Sequence, residues 1–580
     1  MAAKSKKRGQ KLSQRLAKFS RVASENSQEH IKENLVRRLP HARNVRLLIL
    51  EWSLLMAALI LLAITQAFWH SESNATIAYT SGGTYTEATL GEIESLNPLF
   101  ATSNSEQTIS KLMFATLTTV DLSGHAGLGL ADSILSDETG RIWTIHLRDN
   151  LKWSDGEPIT NADVIFTIKL IQNTETNTAY SSNFAKVSIT EDEAHNLVFT
   201  LPAPYANFAS VLNVPIVPEH ILKDANLANL ADHAFSTTSP VVSGAFTYNA
   251  SQIINSSTGE QIVYLTANPN YYGGKPLIST FAIHSFSNTD DIVKAINSGS
   301  ATATADLNPT FSQSIDNNNI YKKETTINNG VFAFFNLSSP VLNNKTLRKA
   351  IQQGVNKDEL RSCLGEEPAL DYPILKSQIG SINFPELPKY DFESAKNIVA
   401  SAELDPEESL SIITVANGYL PELANNLSEQ LQKLGFATTV TAYDSNQDFL
   451  ANVIRPRSYD ILLYEIELGV DPDLFAYYHS SQASANGFNL SNYRNPLTDD
   501  IILSARSTVD SDIATNKYET FLNYWLDDAP AIGIYQTNLA YYFNKNTRNF
   551  SENNHLVTKI DRLNDVMDWS AVQTKLNRTP

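Results

Sequence analysis

Residues 47–68 read LLILEWSLLMAALILLAITQAF, an apolar run that divides the chain into two parts of opposite charge. Residues 1–50 hold 13 Lys or Arg against only Glu25, Glu29 and Glu33, whereas residues 51–580 hold 31 Lys or Arg against 59 Asp or Glu. As a helix the run would measure about 33 Å, enough for the hydrocarbon core of a bilayer. Arg37, Arg38, Arg43 and Arg46 stand just before it, so the positive-inside rule predicts a cytoplasmic N-terminus and an extracellular main domain. Trp52 and Trp69 suit interfacial anchors, and Glu51 lies about one turn inside the basic end. The competing reading is a cleaved secretory signal ending at Ser73-Asn74-Ala75. The long basic stretch and the long apolar run favour an uncleaved anchor.

With 580 residues and 42% apolar content, the chain has the composition of a globular protein and not of a disordered or polytopic membrane protein. The part beyond residue 75 has room for about three structural units. Its acidity repels phosphate backbones, which argues against nucleic acid as a partner of the main domain. Cys363 is the only cysteine, so no internal disulfide forms and a cysteine zinc cage is ruled out. The expected oligomeric state is a monomer.

Polar residues 70–82 read as a linker, after which strands and helices alternate. Trp143, Ile145 and Leu147 alternate with Ile142, Thr144 and His146 as a half-buried strand. Thr160 with Asp163 forms a capping-box pattern ahead of a helix through Ile171. Strand 411–416, a helix from Pro421 to Leu434 closed by Gly435, and strand 436–442 make a βαβ unit. Another strand is predicted at 459–464, helices near 497–505 and 518–525, and a strand at 531–535. The class is α/β, with no short repeat.

Enzyme motifs are missing: the sequence contains no His-Glu-x-x-His, no Gly-x-Ser-x-Gly and no phosphate-binding Gly-x-x-x-x-Gly-Lys. The glycine-rich stretch from Gly124 to Gly129 lacks dinucleotide-binding spacing and reads as a loop. No catalytic residue, cofactor or metal site is expected, and the 11 histidines are scattered.

An ordered series of motifs does stand out. Ser95-Leu96-Asn97-Pro98-Leu99 comes first, then Ala115 to Asp121, Leu130-Ala131-Asp132-Ser133, and the run from Trp143 through Trp153-Ser154-Asp155-Gly156-Glu157-Pro158 to Val164. Ser243-Gly244-Ala245-Phe246, Asn268 to Pro276, Asn336-Leu337, Leu347 to Ile351, Asp471-Pro472-Asp473, Asn492-Tyr493 and Ala529 to Ile532 follow in order. Over roughly 83–540 this series resembles the family 5 extracellular solute-binding proteins, the oligopeptide and dipeptide receptors of ABC importers. Ala245 stands where that family usually has proline. Trp143, Trp153 and the Asp155-Gly156 turn read as core and turn, so they mark the fold without marking a ligand site.

The resemblance implies a two-lobed periplasmic-binding-protein-like fold, type II, of the large peptide-binder subclass with an extra subdomain, preceded here by one transmembrane helix. The expected division is a basic cytoplasmic arm at 1–46, an anchor at 47–69 and a linker at 70–82. Segments 83–118, 235–330 and 536–580 would then form the core of lobe 1, 119–234 its extra subdomain, and 331–535 lobe 2. The implied ligand is a peptide enclosed between closing lobes, and the implied partners are an ABC-importer permease and the membrane, through the single N-terminal helix. By motif alignment one wall of the site is Ala101, Thr102, Ser103 and Asn104, and the other is Tyr464, Glu465, Ile466, Glu467 and Leu468 leading to Asp471, with His479 and Asn489 at the cleft or its rim. Glu465 occupies the position of the family's tryptophan, and Leu468 that of the acid that pairs with a peptide ammonium. Nickel, haem or oligosaccharide ligands on a similar scaffold are alternatives, as is a tethered sensor or scaffold.

Overall fold

A computed structural model describes residues 46–73, 75–121, 123–176, 178, 180–307, 314–365, 367–405, 408–444, 449–551 and 555–577. The basic arm expected at 1–46 lies outside the described residues except for Arg46, as does Asn74 of the alternative cleavage site. Helix α1, Arg46–Ser73, contains the apolar run, and its described leucines and isoleucines are exposed. Among the described residues no helix is long and apolar enough to cross a membrane. This corrects three linked expectations: the transmembrane helix in the fold, the membrane tether among the partners, and the single-pass cell-membrane localisation with a cytoplasmic N-terminus and an extracellular main domain.

In chain order, the first elements that position the site are β1 (Thr84–Leu90), α2 (Asn104–Met113), β2 (Ala131–Ser136), β3 (Ile142–Leu147), α3 (Asn161–Gln172), β4 (Ser188–Glu191) and β5 (Leu197–Thr200). They are followed by β6 (Phe246–Asn255), β7 (Glu260–Ala267), β8 (Thr280–Phe286), β9 (Ala303–Thr304) and β10 (Ile320–Phe335). The last are β11 (Ser409–Val415), α4 (Leu420–Leu434), β12 (Ala437–Tyr443), β13 (Ile461–Glu467), α5 (Pro496–Arg506), α6 (Ser511–Asp528) and β14 (Ala531–Asn544). Ten of the strands form one mixed sheet in the order β12-β11-β13-β10-β14-β9-β1-β8-β7-β6, and β2-β3-β5-β4 form a separate antiparallel sheet.

Local sequence explains much of this. On β3 the alternation buries Trp143 and Ile145, which face Phe199 and Leu197 of β5. Asp163 accepts the Thr160 backbone N–H at 2.8 Å and so starts α3. In the βαβ unit β11 lies parallel to β12, Pro421 sits in the first turn of α4, and Leu423, Leu427, Leu431 and Leu434 are buried beneath it. Gly435, at φ +112°, takes the left-handed conformation that ends the helix without a Cβ penalty.

Two large apolar cores result. One draws on residues from Val331 to Tyr535, and the other on residues from Tyr85 to Ala305 together with Ile327 and residues from Leu539 to Trp569. Strands β10 and β14 run antiparallel and contribute to both. Their register slips between Thr326 and Gly330 and again between Val331 and Phe332, where the chain passes from one core to the other. At Gly330 a Cβ would come within 2.4 Å of a Leu370 methyl and 2.8 Å of the Phe332 ring, so any larger residue would push both side chains aside. The strand read from sequence at 531–535 continues through Asn544 because its polar middle, Gln536-Thr537-Asn538, keeps pairing with β10.

Candidate functional site

A cavity of about 780 Å³ lies where the two cores face each other. On one side it is lined by Ala101, Asn104 and Lys111 from α2 and the loop before it, by Asp306, and by Lys559 and Asp561. Glu367, Tyr419 and the consecutive residues Tyr464, Glu465, Ile466 and Glu467 line the other side. Asn329 of β10 and Tyr535, Thr537 and Asn538 of β14 line it at the crossing.

Charge is unevenly distributed. Five carboxylates (Asp306, Glu367, Glu465, Glu467 and Asp561) face two lysines, and Lys559 is already committed to Asp306 at 2.9 Å. Asp306 is further held by Asn104 Nδ2 at 2.9 Å and by the Leu90 N–H at 2.8 Å. Burial pushes the Lys111 ammonium below its usual pKa, with the Asp561 carboxylate opposing that shift. Beneath this wall Arg562 donates from Nε and Nη2 to the same oxygen of Glu87, at 2.9 and 2.7 Å, in a fully buried pair. That carboxylate, against the cost of burial, holds Arg562 firmly protonated.

The opposite wall carries the unneutralised charge. Glu465 Oε1 accepts Asn329 Nδ2 at 2.8 Å and the Thr537 hydroxyl at 3.1 Å. Glu367 Oε2 accepts the Asn538 backbone N–H at 2.7 Å. Burial raises the Glu367 pKa to about 7, and the negative charges of Glu324 and Glu465 add to the effect while the Asn538 bond opposes it. Glu467 is solvent-exposed at the cavity, yet the surrounding protein raises its pKa, helped by Glu465 and Asp561. Among the described residues none of these three glutamates is ion-paired. Burial, together with the Glu465 and Glu367 charges, raises the pKa of Tyr535, so its phenol stays neutral. Carboxylates with open lone pairs beside tyrosine rings form a surface suited to an ammonium or guanidinium group.

Six of the residues expected at the site, Ala101, Asn104, Tyr464, Glu465, Ile466 and Glu467, line this one cavity. The others lie outside its lining. Thr102 and Ser103 are engaged in capping α2: Ser103 Oγ accepts the Glu106 N–H at 3.1 Å, and Glu106 Oε2 accepts the N–H groups of Thr102 and Ser103 at 2.8 and 3.1 Å. Leu468 is buried in the core and donates its N–H to the Asn328 carbonyl at 2.7 Å. The Asp471 carboxyl lies beside the Ser210 hydroxyl, and burial raises its pKa. His479 caps a short turn by accepting the Ser481 N–H at 3.1 Å. Asn489 is fully buried, with its amide on the carbonyls of His479 and Tyr493.

Glu367, Lys111, Tyr419, Asn329, Thr537, Lys559 and Asp561 line the cavity without having been singled out from sequence. They come from separate stretches of chain, and the only local trace of Glu367 is a pair of acids before Pro368.

The sequence pattern of the Bacterial extracellular solute-binding proteins, family 5 Middle, matches residues 127–488. The oligopeptide-binding protein AppA of Bacillus subtilis is 23% identical over 490 residues, which cover 79% of this chain and 87% of that protein. The structure of AppA in complex with a nonapeptide superimposes with a TM-score of 0.70 at 21% identity, covering 85% of this chain and 99% of AppA. NikZ of Campylobacter jejuni, solved with Ni(L-His), superimposes with a TM-score of 0.71 at 22% identity, covering 84% of this chain and 99% of NikZ.

Proposed function

The chain belongs to the family 5 bacterial extracellular solute-binding proteins, and we propose that it captures peptides bearing positive charge in the cavity between its two lobes. As a member of that family it is a binding protein of an ABC-importer system and not an enzyme. The partner in transport is accordingly a permease. The lobe boundaries expected from sequence belong to this reading, with the two apolar cores as their support.

One observation carries the choice of ligand. The wall formed by Glu367, Glu465 and Glu467 presents carboxylates without a cationic partner among the described residues. Holding those charges in a half-enclosed cavity is unfavourable until a cation arrives, so ligand charge is selected by electrostatics. The asparagine- and threonine-rich crossing supplies donors and acceptors of the kind that hold a peptide main chain, which is common to all peptide sequences. Leu468 cannot pair with a peptide ammonium, and Glu465, three residues earlier, takes that role.

Calorimetry on a pentapeptide series in which lysine replaces alanine one position at a time tests the proposal. Lysine-bearing members should bind at least about tenfold more tightly than the all-alanine parent, a gain of about 1.4 kcal/mol. Equal or tighter binding of glutamate-bearing peptides would refute it, as would binding of a nickel–histidine complex with no peptide response.

A further inference from the structure

Away from the crossing strands the two cores meet through a different kind of contact. The Arg506 guanidinium, at the end of α5, stacks 4.1 Å from the Tyr205 ring centroid and 4.9 Å from that of Phe475. Tyr205 packs against the core that contains β3 and β5, whereas Phe475 packs against the core that contains α4 and α6. Arg506 Nε lies 3.2 Å from Asp473 Oδ2 as an ion pair, but in a geometry that leaves the buried Nε without a hydrogen bond. The Arg506 carbonyl accepts the Ala206 N–H at 2.9 Å, tying the two main chains together.

We infer that Arg506 is a reversible latch that clasps Tyr205 and holds the two lobes closed. Arg506 lies between a ring from each core, and the two cores otherwise remain separate apolar clusters. Opening therefore breaks a cation–π stack, one main-chain hydrogen bond and the polar contact of Asp471 with Ser210, and no apolar core has to be exposed. Both ends of the latch adjoin the cavity in sequence. Tyr205 and Ala206 precede the lining residues Asn213 and Pro215, and Asp473 follows Glu467. The latch acts on the balance between open and closed forms and therefore influences every ligand alike. It does not depend on which ligand the cavity accepts.

The test uses the full chain without added ligand. Cys363→Ser removes the native thiol, and Glu193→Cys and Asp500→Cys place one spin label on each side of the latch. Pulsed dipolar spectroscopy should give one short distance population for this background. A second, longer population should appear with Arg506→Ala. Arg506→Lys, which keeps the charge near Asp473 but loses the planar stack, should fall between the two. Tyr205→Phe keeps the ring and should leave the distribution unchanged, whereas Tyr205→Ala should match Arg506→Ala and the double alanine variant should go no further. Circular dichroism identifies any variant that fails to fold, and Tyr205→Ala on the opposite lobe then carries the test alone. A folded Arg506→Ala or Tyr205→Ala protein with the short population unchanged would overturn the latch, as would additive effects in the double variant.

Discussion

Asn329 donates its carboxamide to Glu465 at 2.8 Å, so the carboxylate on the cavity wall is tied directly to a strand that passes between the two cores. Asn329 lies within the stretch from Thr326 to Gly330 where the β10–β14 register slips. The residue proposed to recognise ligand charge is thus anchored where the chain passes from one core to the other.

Glu465→Gln should therefore lower affinity for a lysine-bearing peptide by about 1.5 to 3 kcal/mol while changing that for the all-alanine peptide much less. Calorimetry on both peptides gives the comparison. Equal losses for the two would assign Glu465 a purely structural role.

Glu367 gives the cavity a pH dependence whose sign can be worked out. Its folded pKa of about 7 lies above the 4.5 of an ordinary glutamate. The folded protein therefore holds a proton that the unfolded chain releases, and stability contributed by this group falls as pH rises from about 4.5 to about 7. Binding of a cationic peptide should run the other way, strengthening from pH 5.5 to 8 as Glu367 ionises, with proton release at pH 6. Glu367→Gln should flatten this profile and raise the melting temperature at pH 8. An unchanged affinity profile in the variant would place the titration elsewhere.

The fully buried pair of Glu87 and Arg562 supports the wall that carries Lys559 and Asp561. Arg562→Met should destabilise the protein by about 3 to 5 kcal/mol because it leaves the buried Glu87 without a cationic partner. The double change Glu87→Leu with Arg562→Met should recover most of that loss. Urea denaturation of the three variants provides the measurement.

Ser103→Ala should cost about 1 kcal/mol in stability through loss of the cap on α2 and leave peptide affinity within about twofold. A larger loss of affinity would show that Ser103 also contacts ligand.

Elements with a local code were legible in the sequence. The β11–α4–β12 unit follows from Pro421, the leucine spacing and Gly435, and β3 follows from its alternation of Trp143 and Ile145. The extent of β14 was not, since Gln536-Thr537-Asn538 interrupts any apolar pattern and is held in the strand by its partner. At the site, Glu465 and its neighbours could be placed because they sit at a motif boundary. Ser103 was a harder case: a serine next to a cavity and a serine capping a helix look the same in sequence, and only Glu106 three residues on distinguishes them. Glu367 reaches the cavity solely through tertiary packing, so no window of local sequence contains it. Helix α1 was expected from its composition, whereas the membrane role inferred from that composition was not upheld.

Strands β10 and β14 also bear on how the molecule can be divided. Residues 79–573 form one compact unit in which both strands continue from one core into the other. A fragment ending near Gly330 would keep the Ile320–Thr326 half of β10 without its partners in β14 and would present an unpaired edge to any neighbouring chain. The lobes therefore cannot be produced as separate halves, and heat or urea should melt residues 79–573 in a single transition despite the cleft through their middle.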